Sequence, residues 1–177
     1  MPRIAPAEGR LDPAAQAELD RQLAAHGRVT NMKRTLAHSP RALIALMEWY
    51  PLRDEVKAFL GDRATTLFAH AVSSENDCLI CSTFFRRILA DAGDDPDHLR
   101  LDARERALVD YGVALSRDRG RVPDDVYARI AGLLTPGQIV AVTAFGAMMI
   151  ATNAFVNALQ IELDEYLWPY RKAEGRA

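Results

Sequence analysis

From Ile130 to Ile161 the chain carries no charged residue. An uncharged run of that length is the buried helix of a bundle, a subunit contact or a membrane span. It is rich in small alanines rather than leucine, and it holds Thr143, Thr152, Asn153, Asn157 and Gln160. The nearest cations are Arg129, Arg171 and Lys172, which leave neither end with a basic flank. A buried helix is therefore expected, with no membrane partner. Asn153 and Asn157 lie four residues apart and share a face, from which they can hydrogen-bond to neighbouring helices.

The rest of the chain is divided by helix punctuation. Asp12-Pro13 supplies an N-cap with proline at the first helical position, and Gly27 closes that helix. Ser39-Pro40 repeats the device before a helix over 41–50, which Pro51 kinks or restarts and Gly61 ends. Asp62 caps a segment with apolar Leu67, Phe68, Ala71 and Val72 at helical spacing. Ser73-Ser74-Glu75-Asn76-Asp77 interrupts it, and a new helix runs from about Cys78 to Gly93. Asp102 with Glu105, and Thr135 with Gln138, form capping boxes, and Pro123 opens a short helix between those two. No sustained period-two run appears. The fold class predicted is all-α, a single domain over 1–177 with N-terminal helices at about 12–60 and a core at about 62–160. Leu60-Gly61-Asp62-Arg63 is echoed by Leu101-Asp102-Ala103-Arg104, which raises a duplicated helix–break–helix unit.

Composition narrows the function. The formal net charge is -2, which argues against a broad basic surface for nucleic acid. The first residues, Met1-Pro2-Arg3-Ile4-Ala5-Pro6, contain no apolar signal core, so a cytoplasmic location is expected. Two cysteines are too few for a disulfide-stapled scaffold.

Those cysteines, Cys78 and Cys81, are the sharpest feature. Spaced by two residues at a helix start, they lie one turn apart, close enough to form a disulfide. The unpaired N–H groups of a helix N-terminus favour a thiolate. With Asn76 or Asp77 as N-cap, Cys78 falls in the first turn, whereas Glu75 and Asp77 oppose the thiolate by charge. Competing readings are two small buried hydrophobes or a zinc site. The second lacks ligands, because His26, His38, His70 and His98 are scattered without metal-site spacing. No metal or cofactor is expected. Arg117, Arg119 and Arg121 read as a solvated loop or an anionic-substrate entrance, and Asp94-Asp95-Pro96-Asp97 as a solvated turn.

The stretch from Asp62 to Arg87, with the Asp102 capping box and the long Thr135 helix, resembles the carboxymuconolactone decarboxylase family, and within it the AhpD-like alkylhydroperoxidase branch. The likeness runs from about Val29-Thr30-Asn31 to Asn157-Ala158-Leu159. It implies an oligomeric helical bundle and a dithiol that reduces hydroperoxides, with Cys81 at the position usually assigned the attack. Helix position instead favours Cys78, and both remain candidates. One thiolate would become a sulfenic acid, the other would close a disulfide, and a protein dithiol would reduce it. The branch also carries a glutamate and a histidine as a proton relay; here those positions hold Thr66 and Phe85. General acid–base help is worth roughly a hundredfold to ten-thousandfold. His70, eight residues before Cys78, and Glu75 are the candidate substitutes. The alternatives are the lactone decarboxylase-type lyase, whose members look histidine-dependent, and a non-catalytic oligomeric or ligand-binding relative.

Overall fold

The computed structural model describes residues 1–172, and among them there are helices and no strands. The helices are α1 (Pro13–His26), α2 (Asn31–Leu36), α3 (Pro40–Met47), α4 (Trp49–Leu60), α5 (Asp62–Glu75), α6 (Leu79–Asp91), α7 (Ala103–Arg117), α8 (Asp124–Ala131) and α9 (Pro136–Leu159). A 3-10 helix, Glu165–Tyr170, follows. The all-α class read from the sequence holds.

Local chemistry sets most of these ends. The Asp12 carboxylate accepts the Ala14 N–H at 2.8 Å, and Pro13 follows at a position whose missing N–H costs nothing. Gly27 closes α1 at φ 73, a left-handed conformation that glycine adopts without a Cβ clash. Both capping boxes are complete in each direction, at Asp102–Glu105 and at Thr135–Gln138. One boundary differs from expectation. The helix that Pro51 was expected to interrupt breaks earlier, at Glu48, and Pro51 sits in the first turn of α4, where its absent N–H is tolerated. The short α2, capped by Thr30, and the final 3-10 helix had no strong punctuation to announce them.

Packing centres on α5, which lies against α4, α6, α7 and α9. Its Phe68 is fully buried, with ring centroids 5.9 Å from Phe145 of α9 and 6.4 Å from Tyr111 of α7. Gly146 lets α9 come this close. A Cβ there would stand 2.5 Å from Leu115 Cδ2 and 2.9 Å from Phe68 Cζ. The inner face of α9, with Val142, Phe145, Met149 and Val156, is core. The helix is buried on that face only. Val140, Ala144, Ala147, Ala151 and Ala154 form an exposed outer strip. Among the described residues α9 is the one helix long and apolar enough to cross a membrane.

A second, smaller apolar cluster joins α1 to α3 through Ala15, Leu19, Leu36, Leu43 and Met47. Met32, Tyr50 and Phe155 touch both clusters, so a seam runs between them. The acidic turn at 94–97 is more tied down than a solvated loop. Arg63 bridges Asp94 and Glu105, and Arg86 holds Asp97 at 3.0 Å.

Filling the Gly146 position tests the close approach of α9. Gly146→Val is expected to lower unfolding stability by about 1–3 kcal/mol through overpacking, measured by urea denaturation at constant m-value.

Candidate active site around Cys78 and Cys81

The α5–α6 break is built by backbone hydrogen bonds. Asn76 N–H donates to Val72 O, Asp77 N–H to Ser74 O, and Cys78 N–H to Ser73 O at 3.1 Å. Asp77 adopts a left-handed φ of 49, which a short aspartate tolerates better than most residues. The Asn157 side-chain amide of α9 donates to Asn76 O at 2.9 Å and fixes the break from outside.

This geometry shifts the register by one residue from the sequence reading. Neither Asn76 nor Asp77 caps α6. Cys78 itself is the N-cap, with extended backbone, because the left-handed residue ends the turn just before it. Ser82 N–H then donates to Cys78 O at 2.9 Å as the first helical bond. Cys81 lies three residues into the helix, and both cysteines are free thiols.

The two sulfurs act on each other. A hydrogen bond from the Cys81 thiol draws the Cys78 pKa down, and the N–H groups of Cys81 and Ile80 at the open helix end add to this. The same bond, together with burial, pushes Cys81 well up. The pair therefore ionises first at Cys78, the sulfur whose thiolate the bond favours. Cys78 is fully buried, whereas Cys81 lines a cavity of about 80 Å³ at the seam between the two clusters. The walls of that cavity are mostly apolar, including Met32, Leu46, Trp49, Phe84, Phe85 and Met149, with Lys33 and Asp164 among them.

The sequence-predicted positions fall in different places. His70 lines a separate cavity with Ser74, Asp77, Arg86 and Asp97, and it does not line the Cys81 cavity. Burial, then the Arg86 charge, pushes its pKa down to about 4. Glu75 is held by Arg117 at 2.8 and 3.1 Å, so its carboxylate is neutralised at the surface. Arg117 is thereby occupied rather than facing an anionic substrate. Thr66 is buried and donates its hydroxyl to Asp62 O at 2.8 Å, serving its own helix. Phe85 is buried beside Cys81, with its ring 6.2 Å from that of Trp49.

Three groups at the site were not singled out as functional from sequence. Asn153 of α9 is fully buried, and neither end of its carboxamide has a hydrogen-bond partner of ordinary geometry. It lies close enough to both sulfurs to favour their charged forms. Its signal was present, as a polar residue in an apolar helix, and was read as helix packing. Lys33, 2% exposed, and Asp164 carry no such signal, because nothing in their local sequence marks burial.

The arrangement defines a class: an all-α protein with a hydrogen-bonded dithiol at a helix start, one sulfur lining a mostly apolar cavity. Solved structures superpose on it over nearly the whole chain. The debrominase Bmp8, seen with a cysteine replaced by alanine and 2,3,4-tribromopyrrole bound, aligns with a TM-score of 0.79 at 14% identity, covering 94% of each chain. An uncharacterized peroxidase-related protein from Silicibacter sp. TM1040 aligns at 0.74 and 19% identity, covering 96% of each. A peroxidase-related protein from Ralstonia eutropha JMP134, described as an alkylhydroperoxidase AhpD core, aligns at 0.70 and 17% identity, covering 94% of each. No family model and no curated protein matches the sequence. The chain has the AhpD-like fold.

Burial of a neutral His70 has a measurable consequence. Its folded pKa of about 4 lies below the ordinary 6.5, so between those values the unfolded chain binds more protons. Stability is expected to fall as pH drops from 6.5 to 4 in denaturant titrations, and His70→Gln should flatten that limb.

Proposed function

We propose that the chain is a thiol-dependent oxidoreductase that reduces hydroperoxides through a Cys78–Cys81 dithiol/disulfide cycle. The observation that carries this reading is the pair of free, hydrogen-bonded sulfurs at the α6 N-terminus, of which Cys81 meets the mostly apolar cavity. Transfer of the Cys81 proton to an ionised Cys78 leaves Cys78 as the thiol and places the thiolate at the cavity. That thiolate attacks the outer oxygen of the hydroperoxide, the O–O bond breaks, and the alkoxide leaves and is protonated to the alcohol. Cys81 becomes a sulfenic acid. The Cys78 sulfur then attacks it, the S–S bond forms, and the departing hydroxide takes a proton from solvent to leave as water. Two thiols are oxidised and one peroxide bond is reduced. A protein dithiol restores the pair, as a reducing cytoplasm would permit.

Without the glutamate and histidine of the resembled branch, the Cys78 thiol is the proton donor nearest the departing alkoxide. Among the described residues no histidine lines the Cys81 cavity, so a histidine-dependent lyase has little support there. The exposed Val140–Ala154 strip of α9 suits a contact with a second copy, and a homo-oligomer is part of the proposal.

The superposition on a debrominase favours a second reading of the same couple. An aryl bromide would exchange its bromine for hydrogen, releasing bromide and one proton while both thiols become the disulfide. Bromide release from a bromoarene, measured by ion chromatography, separates this from peroxide turnover.

Stoichiometric cumene hydroperoxide is expected to remove both thiols per chain in a thiol titration. Cys78→Ser should leave Cys81 as a sulfenic acid that dimedone traps, and Cys81→Ser should abolish peroxide consumption. Retained turnover in Cys81→Ser would overturn the reading. Light scattering of the full chain is expected to give a mass at least twice the 19.6 kDa of one copy.

A further inference from the structure

Two ionisable groups, Lys33 and Asp164, line the Cys81 cavity without a salt bridge to each other. Lys33 is 2% exposed and rests over the Tyr50 ring at 4.9 Å. Its neighbour Glu18 is already held by Arg21 at 2.7 Å and by Gln22 at 2.8 Å. Asp164 accepts the Asn31 N–H at 2.9 Å through Oδ1, while Oδ2 is buried without a hydrogen-bond partner. Lys33 and Asp164 form no salt bridge with each other, yet both line the cavity. A buried cation and a buried acceptor left apart are costly unless something completes them.

The rest of the wall is mostly apolar, with Thr30, Tyr50, Thr152 and Tyr166 (its hydroxyl buried without a partner) among it, so the completing molecule is mostly apolar and compact. A carboxylate would pair with Lys33 but bring two acceptor oxygens against Asp164. An ammonium would reverse the fault. A hydroxyl satisfies both at once, donating to Asp164 Oδ2 and accepting from Lys33 Nζ. We infer that the cavity binds a compact apolar molecule ending in one hydroxyl, of the phenol type, held between Lys33 and Asp164. This goes beyond the thiol reading above: it stands on the cavity wall alone and names a ligand class that the cavity beside Cys81 would take. The apolar body then lies along the wall that Cys81 shares. Burial lowers the Lys33 pKa to about 8 and raises that of Asp164.

The test is isothermal titration of the full chain with three probes of one shape: 4-ethylphenol, 4-ethylanisole and 4-ethylbenzoate. The phenol is expected to bind about tenfold or more tighter than either of the others, the range expected for a buried donor–acceptor match. Lys33→Met and Asp164→Asn should each bring the phenol down to the level of the anisole. The asparagine keeps an acceptor for the Asn31 N–H, and circular dichroism checks that both variants fold. If a variant does not fold, the ranking by the native chain decides alone. Equal binding of phenol and anisole, or tightest binding of the benzoate, overturns the assignment. Cys81→Ser should keep the ranking. Thiol loss to peroxide with a flat ranking therefore removes this inference and leaves the redox reading standing, and the converse result does the opposite.

Discussion

The left-handed residue at Asp77 governs the site. It ends the turn after α5 one residue before the sulfurs and puts Cys78 at the N-cap of α6. From there the first N–H groups of the helix lie open beneath its sulfur, and Cys81 falls one turn on, within reach of it. Hydrogen bonding between the sulfurs then separates their proton affinities in opposite directions. A small backbone choice thus creates a pair with unequal partners, one fully buried and the easier to ionise, the other harder to ionise and facing a cavity. The Asn157 clamp on Asn76 makes that choice permanent from the far side of the bundle.

The helical architecture was legible because it is written in local chemistry. Caps, N1 prolines and capping boxes satisfy backbone groups within a few residues, so Asp12, Ser39, Asp102 and Thr135 announce their helices without tertiary help. Pro51 misled, because a proline in a first turn and a proline that breaks a helix look the same in sequence. The cysteines were legible for a similar reason: their spacing alone makes them neighbours. Lys33 and Asp164 were not. They stand 131 residues apart in sequence and come to line one cavity only where the two apolar clusters abut, a property of the tertiary fold. His70 and Glu75 were drawn in by closeness along the chain. The break after α5 places His70 in another cavity and gives Glu75 to Arg117.

The AhpD-like fold supplies a scaffold in which polar groups beside the sulfurs can vary. Thr66 and Phe85, where the resemblance implies proton carriers, are both buried, and Phe85 shares a mostly apolar cavity wall with Cys81. Dryness cuts two ways. It raises the cost of a thiolate at Cys81, and it strengthens every dipole aimed there, the Asn153 carboxamide among them.

The seam position of the cavity has a consequence of its own. One wall comes from the small cluster of α1 to α3 and the other from the main core, so its width depends on how those two bodies seat against each other. Residues remote from sulfur, such as Ala15 and Leu43, thereby act as set-screws on its aperture. Selectivity in this protein can drift through changes that never touch a ligand.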